Sequence, residues 1–155
     1  MQSILGRASS VAERRRVQVF RVGLLTLSAL GCNGDSFSPA ELDLGGTWIF
    51  NATVEETTQT CNVTEAPITF TAVTADSLVG KGGEGGTIQC TSGTRTFAAN
   101  PYLEHSTVFL TRTGSTVRID RHGSLLFRGE IRSASRMSGT TTMDSLPGTW
   151  IGQRQ

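Results

Sequence analysis

The residue types that could do chemistry are few: three cysteines, two histidines and the run Asp120-Arg121-His122-Gly123-Ser124. That run contains the residue types of a hydrolase triad. Neighbouring residues of a strand or hairpin point in alternate directions, however, and the run lacks the strained turn that presents a nucleophile. We therefore predict no catalytic residue and no enzyme.

Metal, redox and phosphate chemistry are also poorly supported. His105 and His122 have no cysteine or carboxylate at the spacing of a metal site, and the sequence contains no Cys-x-x-Cys pair. The glycine run Gly80-Lys81-Gly82-Gly83-Glu84-Gly85-Gly86 would need a following helix to hold a phosphate, whereas Thr87-Ile88-Gln89-Cys90 has the pattern of a strand. We expect a flexible loop or bulge at the glycine run, with no metal and no cofactor.

Composition and charge narrow the possible functions further. The chain of 155 residues carries 18 glycines, 22 threonines and only 17% charged residues, which favours strands and tight turns over helices. The net charge of +1 hides an asymmetry, because five of the 14 basic residues precede Cys32 and the chain from Cys32 onward has a net charge of −3. A mildly acidic body is a poor nucleic-acid binder, so we expect no nucleic-acid partner.

The N-terminal region has the pattern of an export signal. Residues 1–21 are polar and basic, residues 22–30 are apolar, and Gly31 and Cys32 follow. Nine apolar residues span about 14 Å as a helix, which is half of a bilayer core. Residues 1–31 are therefore predicted to be a secretory signal peptide rather than a membrane span. Arg15-Arg16 leaves open a twin-arginine variant of such a signal.

The end of this signal, Leu27-Ser28-Ala29-Leu30-Gly31-Cys32, resembles the lipobox of bacterial lipoproteins. The resemblance implies cleavage before Cys32, fatty acyl chains on its thiol and amine, and therefore a membrane as a partner. Asn33 after the cysteine implies the outer membrane of the bacterial cell envelope. The alternative is an ordinary cleaved signal followed by a free cysteine. Several acyl chains hold a protein stably on a membrane.

The segments after the signal are a tether and one domain. Residues 32–44 contain glycine, serine and proline, which argues against a packed element, and we expect a lipidated tether that reaches roughly 40 Å when extended. If Cys32 is lipidated, Cys61 and Cys90 remain. Two thiols in an oxidising compartment favour a disulfide between them.

The body, residues 45–155, has the pattern of a closed sheet. Gly-Thr-Trp-Ile occurs at 46–49 and again at 148–151, and the residues between alternate apolar with polar and are cut by turns such as Asn100-Pro101-Tyr102. We predict about eight strands in an all-β, antiparallel, up-and-down barrel, in which the first and last strands pair. Leu125, Phe127, Gly129 and Ile131 should face the interior, and Leu126 with Arg128 should face solvent. The six arginines between residues 112 and 136 are expected to form a solvated wall or a docking surface for an anionic partner.

Gly46-Thr47-Trp48 on the first strand of such a meander is similar to the calycin group, the lipocalins and their relatives. In lipocalins a basic residue of the last strand packs over this tryptophan, and Arg154 is the candidate for that role. The body is also similar in size to the avidins and to periplasmic protease-inhibitor barrels, which carry a disulfide between early strands.

Two functions follow from the predicted barrel. In the first, the barrel binds a small hydrophobic ligand in its interior, where the small residues Ala52, Ala72, Gly129 and Gly139 leave space. Six residues are predicted to line that interior: Trp48, Phe50, Phe70, Phe127, Ile131 and Trp150. In the second, the core is filled and the barrel is a protein-binding module of the envelope, for example a protease inhibitor. Its contact surface would then be the Gly80–Gly86 loop or the N-terminal arm.

Overall fold

The computed structural model describes residues 38–143 and 146–155. The predicted signal segment 1–31 and Cys32 lie outside the described residues, so the predictions made for them are not tested. Within this part of the chain a 3₁₀ turn, Pro39–Glu41, precedes eleven strands. The strands are β1 (Gly46–Glu56), β2 (Gln59–Thr74), β3 (Ser77–Gly82), β4 (Thr87–Ser92), β5 (Arg95–Thr96), β6 (Asn100–Pro101), β7 (Thr107–Thr113), β8 (Thr116–Arg121), β9 (Ser124–Ser133), β10 (Arg136–Met143) and β11 (Leu146–Arg154).

Eight of these strands close into an antiparallel barrel. Their order around the ring is β1, β2, β3, β7, β8, β9, β10 and β11, and β11 returns to pair with β1. The first and last strands pair through seven residues each, with Phe50 opposite Gly152 and Asn51 opposite Ile151. The prediction of an all-β, eight-stranded, up-and-down barrel sealed by its two Trp-bearing strands is confirmed.

The core follows the alternation of each strand, because successive side chains point to opposite faces of a sheet. On β1, Trp48, Phe50, Ala52 and Val54 are buried, as predicted, and the residues between them are more exposed. The buried positions of the other strands join Trp48, Phe50 and Ala52 in one cluster: Val63, Ala66, Ile68, Phe70, Leu78, Val108, Leu110, Val117, Ile119, Leu126, Phe127, Ile131, Met137 and Trp150.

Irregularities in the ladder shift this alternation at two places that matter below. Between β1 and β2 the register shifts at Asn51, where Thr64 and Glu65 together face a single residue. Between β8 and β9 it shifts at Ile119/Asp120. The second shift makes the predicted orientation of Leu126 wrong: this residue is buried and Leu125 is only half-buried. An irregularity of this kind moves the following side chains to the opposite face of the sheet, and the apolar pattern of the sequence does not reveal it.

Strands β4, β5 and β6 form a hairpin outside the ring. The amino-terminal half of β2 pairs with β4 and its carboxyl-terminal half pairs with β3, so β3 and β4 behave as one long strand interrupted at residues 83–86. The predicted interruption at the glycine run is confirmed. The predicted turn at Asn100-Pro101-Tyr102 is wrong at its first two residues, since Asn100 and Pro101 pair with Ile88 and Thr87. Cys61 and Cys90 lie opposite each other and form the predicted disulfide.

The segment before the barrel is not extended. Leu44 is buried, and Pro39–Glu41 forms a turn that contacts β9. The prediction of a tether through residue 44 is therefore wrong for residues 39–44, which we call the arm. Proline and serine disfavour a regular helix, but they do not prevent a short segment from packing when side chains of the barrel bind its carbonyl groups.

Candidate functional site

All six residues predicted to line a ligand cavity lie inside the barrel, where they pack against each other. The rings of Phe50 and Phe127 are stacked with centroids 5.4 Å apart, and Trp150 lies 5.6 Å from the first and 5.3 Å from the second. Phe70 meets Phe50 edge to face at 6.3 Å. These separations are those of aromatic rings in direct contact, so the centre of the barrel is occupied by its own side chains.

Of the four small residues that were expected to leave space inside the barrel, Gly129 and Gly139 are covered by Trp150. The prediction is wrong for Ala72, which is exposed near the end of β2. Trp150 lies opposite Gly139, which lies opposite Gly129. The indole Nε1–H donates to the carbonyl oxygens of Arg128 and Thr140, at 3.1 and 3.0 Å, so the ring extends across both glycines. A Cβ at Gly139 would overlap the carbonyl oxygen of Arg128 and the Cα of Gly129. The two glycines let the strands approach, and the tryptophan covers them.

One end of the barrel, which we call the arm end, is closed by Arg112. Its side chain is buried, and its guanidinium donates to Asp76 Oδ1 at 3.0 Å and to the carbonyl oxygens of Pro39, Leu42 and Ala75. Arg112 was predicted to lie on a solvated wall. That prediction is wrong, because residue 112 faces inward with Val108 and Leu110 on β7.

Arg154 holds the other part of the arm. It lies opposite Trp48 in the ladder and donates to the carbonyl oxygens of Asp43 and Gly45, the first at 3.0 Å. The Trp48 indole donates to Leu44 O at 3.0 Å. The candidate pair of Trp48 on the first strand and Arg154 on the last is therefore brought together at the arm end. Both side chains satisfy carbonyl groups of the arm that would otherwise lose water when the arm packs.

The remaining five arginines of the predicted wall do face solvent, along β8, β9, β10 and their connections. Arg118 lies directly opposite Arg128, and it is bound by Asp120 through two hydrogen bonds of 2.7 and 2.8 Å. These bonds raise the pKa of Arg118. Arg132 pairs with Glu130 at 2.8 Å. Because both acids in this wall are paired, the charge it presents is that of Arg121, Arg128 and Arg136.

The hairpin presents a second surface, at the end of the barrel opposite the arm. Every residue from 93 to 101 is exposed, and Phe97 has 42% of its surface in solvent. The Arg95 guanidinium lies over the Phe97 ring, 5.4 Å from its centroid. Phe97 N–H donates to Cys90 O and Phe97 O accepts from Gln89 Nε2, so the backbone that carries this pair is fixed to the disulfide-bearing strand.

A third surface lies on the outside of β11, β1 and β2, at the irregularity beside Asn51. A cleft of about 320 Å³ opens there. Six outward residues line it in a grid, two from each strand: Thr149, Ile151, Thr53, Asn51, Asn62 and Thr64. All of its lining residues are uncharged. We call it the amide cleft, after its two asparagines.

The residues of the run Asp120–Ser124 lie at the end of β8, in the turn that follows and at the start of β9. The Asp120 carboxylate is bound by Arg118, while His122 and Ser124 are exposed in and beside the turn after β8. His105 does meet two carboxylates: the ligand atoms of Glu84, Glu104 and His105 lie within 4.8 Å of one another. They lie at the surface on two loops that only the fold brings together, and we assign no metal to them.

The comparisons with known proteins give no relative. The chain matches no protein-family model, no curated protein and no solved structure. Among the described residues, none of the helical segments has the length and apolarity needed to cross a bilayer.

The surfaces that sequence reasoning missed depend on the fold rather than on local patterns. Arg112 gains its role from partners distant in the sequence, and Asn51 and Asn62 gain theirs beside a register shift. Arg95 and Phe97 are close in sequence, but their contact depends on a hairpin that the sequence pattern did not locate. The only local signal was the break in alternation near Glu65-Ala66-Pro67, where proline already marked β2 as irregular.

Proposed function

We propose that this protein is a filled-core barrel that acts as a protein-binding module of the bacterial envelope, anchored by lipid on Cys32. The packing of Phe50, Phe127 and Trp150 supports a binding role on the outside of the barrel over a small hydrophobic ligand inside it. A ligand of even a few carbon atoms would have to displace these rings. Cores at close-packed density accommodate such changes only at a cost of several kcal/mol.

The observation that carries the proposal is the Arg95–Phe97 pair on the exposed hairpin. Aromatic residues and arginine are the residue types that dominate binding energy at protein interfaces. A rigid support lowers the entropy lost on binding. The Cys61–Cys90 disulfide and the bonds to Phe97 N–H and O provide that support.

The same bonds favour a plain docking surface over a substrate-like inhibitor loop. A loop that enters a protease cleft as an added strand must offer backbone N–H and C=O groups for pairing. At Phe97 both groups are already used within the hairpin. A protease remains one class of partner, but contact would run through side chains.

Photo-crosslinking tests the hairpin directly. With p-benzoylphenylalanine in place of Phe97 in the full-length protein in its own host, we expect one discrete covalent adduct with an envelope protein. Val73, which is 67% exposed at the arm end, is the matched control position and should give no such adduct.

With the identified partner purified, Phe97→Ala should weaken binding by on the order of tenfold or more, and Val73→Ala should leave it unchanged. Equal adducts at both positions, or none at position 97, would contradict the proposal.

Intact-mass measurements test the anchor and the filled core together. Protein purified from its own envelope should begin at Cys32, carry acyl chains there, and retain no other lipophile under native conditions. Cys32→Ala should remove the acyl mass and release the protein from the membrane fraction. A retained apolar molecule of constant mass would instead favour a ligand in the interior.

A further inference from the structure

We propose that the amide cleft binds a neutral sugar that carries an N-acetyl group. The cleft exists because of the irregular pairing at Asn51, where two residues of β2 face one residue of β1. Such a bulge bends its strand and re-aims the neighbouring side chains. It separates the outer faces of β1 and β2 at the point where Asn51 and Thr64 project.

Both asparagine amides are held in a fixed orientation. Asn51 Oδ1 accepts from the backbone N–H of Glu65 at 3.0 Å, which satisfies the donor that the bulge leaves without a ladder partner. Asn62 Oδ1 accepts from the Thr53 hydroxyl at 2.9 Å. Because these bonds fix which way each amide faces, each Nδ2 group is free to donate to a ligand. The cleft therefore presents two oriented N–H donors that acceptors of a ligand can bind in place of water.

The third element of the cleft is apolar. Ile151 lies opposite Asn51, and 38% of its surface is exposed. Thr149 and Thr64 add hydroxyl groups that can both donate and accept, and each is exposed. One small space thus combines amide donors, adaptable hydroxyls and one aliphatic contact.

These features select the ligand class. An anion would lose water without a cation to pair with, because the lining is uncharged, and a purely apolar ligand would leave the amide donors buried and unsatisfied. An N-acetylated pyranose offers a carbonyl acceptor for an amide donor, a methyl group for Ile151 and ring hydroxyls for the threonines. The volume of about 320 Å³ lies at the small end of ligand sites, which suits one or two sugar rings.

Titrations followed by NMR test this inference, which is independent of the hairpin surface. Chitotetraose and cellotetraose share the same glycosidic linkage, and only the first carries N-acetyl groups. We expect chitotetraose to shift the side-chain amide signals of Asn51 and Asn62 in the purified protein, and cellotetraose to bind at least fivefold more weakly. A loss of about fivefold corresponds to one ordinary hydrogen bond.

One substitution tests the Asn62 amide as a ligand donor while it keeps the hydrogen bond that Asn62 makes within the protein. Asn62→Asp keeps an oxygen for the Thr53 hydroxyl but removes the amide donor, and it should weaken chitotetraose binding at least fivefold without unfolding the protein. Gln153→Ala, which removes an exposed amide outside the cleft on the same strand as Ile151, should bind as the unmodified protein does. No shift at Asn51 and Asn62 at millimolar chitotetraose, equal binding of the two sugars, or full binding by Asn62→Asp would each overturn the inference.

Discussion

At the scale of single residues, Arg112 shows how one buried charge can join distant parts of the chain. It donates four hydrogen bonds, to two carbonyl groups of the arm and to two residues of the β2–β3 turn. Removing it leaves the Pro39 and Leu42 carbonyl groups of the packed arm without this donor, whereas the acceptors on Ala75 and Asp76 belong to exposed residues. Each unsatisfied buried acceptor costs on the order of 1–3 kcal/mol, although water reaches some of them when the arm loosens.

We therefore expect Arg112→Met to lower the free energy of unfolding by about 3 kcal/mol, measured by urea denaturation. Arg118→Met is the matched control, because the Arg118 side chain is 53% exposed and, in the part of the chain that the structure describes, binds only Asp120, two residues along the same strand. That substitution should cost much less than Arg112→Met, because exposed ion pairs contribute little to stability. Equal losses for the two variants would contradict the role assigned to Arg112.

The Gly129–Gly139 pair makes a second prediction at this scale. Gly139→Ala would place a methyl group against the backbone of the neighbouring strand and under the Trp150 indole, so strand β9 or β10 must move. We expect a loss of about 3 kcal/mol or more in the free energy of unfolding, together with a red shift of tryptophan emission. Gly85→Ala, at a glycine with open space around it and positive φ, should cost about 1 kcal/mol and leave the emission unchanged. An unshifted emission spectrum for Gly139→Ala would count against the packing described for Trp150.

At the scale of elements, the β4–β6 hairpin depends on one covalent bond. Its strands β5 and β6 have two residues each, and isolated hairpins of this kind are marginal in water. The Cys61–Cys90 bridge closes a loop with a sequence separation of 29, which contributes about 3–4 kcal/mol in the chain-entropy model. The barrel ring itself is paired independently of the hairpin.

The double substitution Cys61→Ser/Cys90→Ser should therefore lower the free energy of unfolding by about 3–4 kcal/mol and speed amide exchange of residues 88–101 most strongly. Amides of β9 and β10 should lose protection only in proportion to global stability. Uniform loss of protection across hairpin and barrel would show that the two elements unfold as one unit.

The elements also show what the sequence could and could not predict. Period-two alternation located β1, β7, β8 and the part of β9 after Leu126 correctly, because each has one buried and one exposed face. It failed at Leu126, where a register shift changes the facing phase, and at the arm, whose packing depends on carbonyl groups that the side-chain pattern does not encode. The six residues predicted to line the interior are buried there, but the apolar pattern does not encode whether they surround a space or fill it, because that depends on the volume of the ring.

At the scale of the whole molecule, the candidate sites lie on the outside, because the ring of strands is closed and its interior is packed with side chains. A ring of eight strands leaves room for side chains or for one small ligand, and bulky aromatic residues inside this ring use that room. The outer surface is divided in turn: arginines on β8–β10, an uncharged cleft on β11–β1–β2, and an aromatic pair on the hairpin. The three surfaces therefore occupy separate parts of the outside of the molecule.

Closure itself can be measured by a cross-link between the first and last strands of the ring. Thr53 lies directly opposite Thr149, whereas Thr140 lies on the far side of β11. In a background of Cys32→Ser, the pair Thr53→Cys/Thr149→Cys should oxidise to a second disulfide, and mass analysis of peptides should show it beside Cys61–Cys90. Because the new loop spans nearly the whole barrel, it should raise the free energy of unfolding by up to about 4–5 kcal/mol, less the cost of any distortion of the ladder.

Thr53→Cys/Thr140→Cys is the matched control and should stay reduced under the same conditions, since another strand separates the two positions. Oxidation of the control in preference to the Thr53/Thr149 pair would mean that β1 and β11 are not neighbours, and the ring with its filled interior would have to be abandoned.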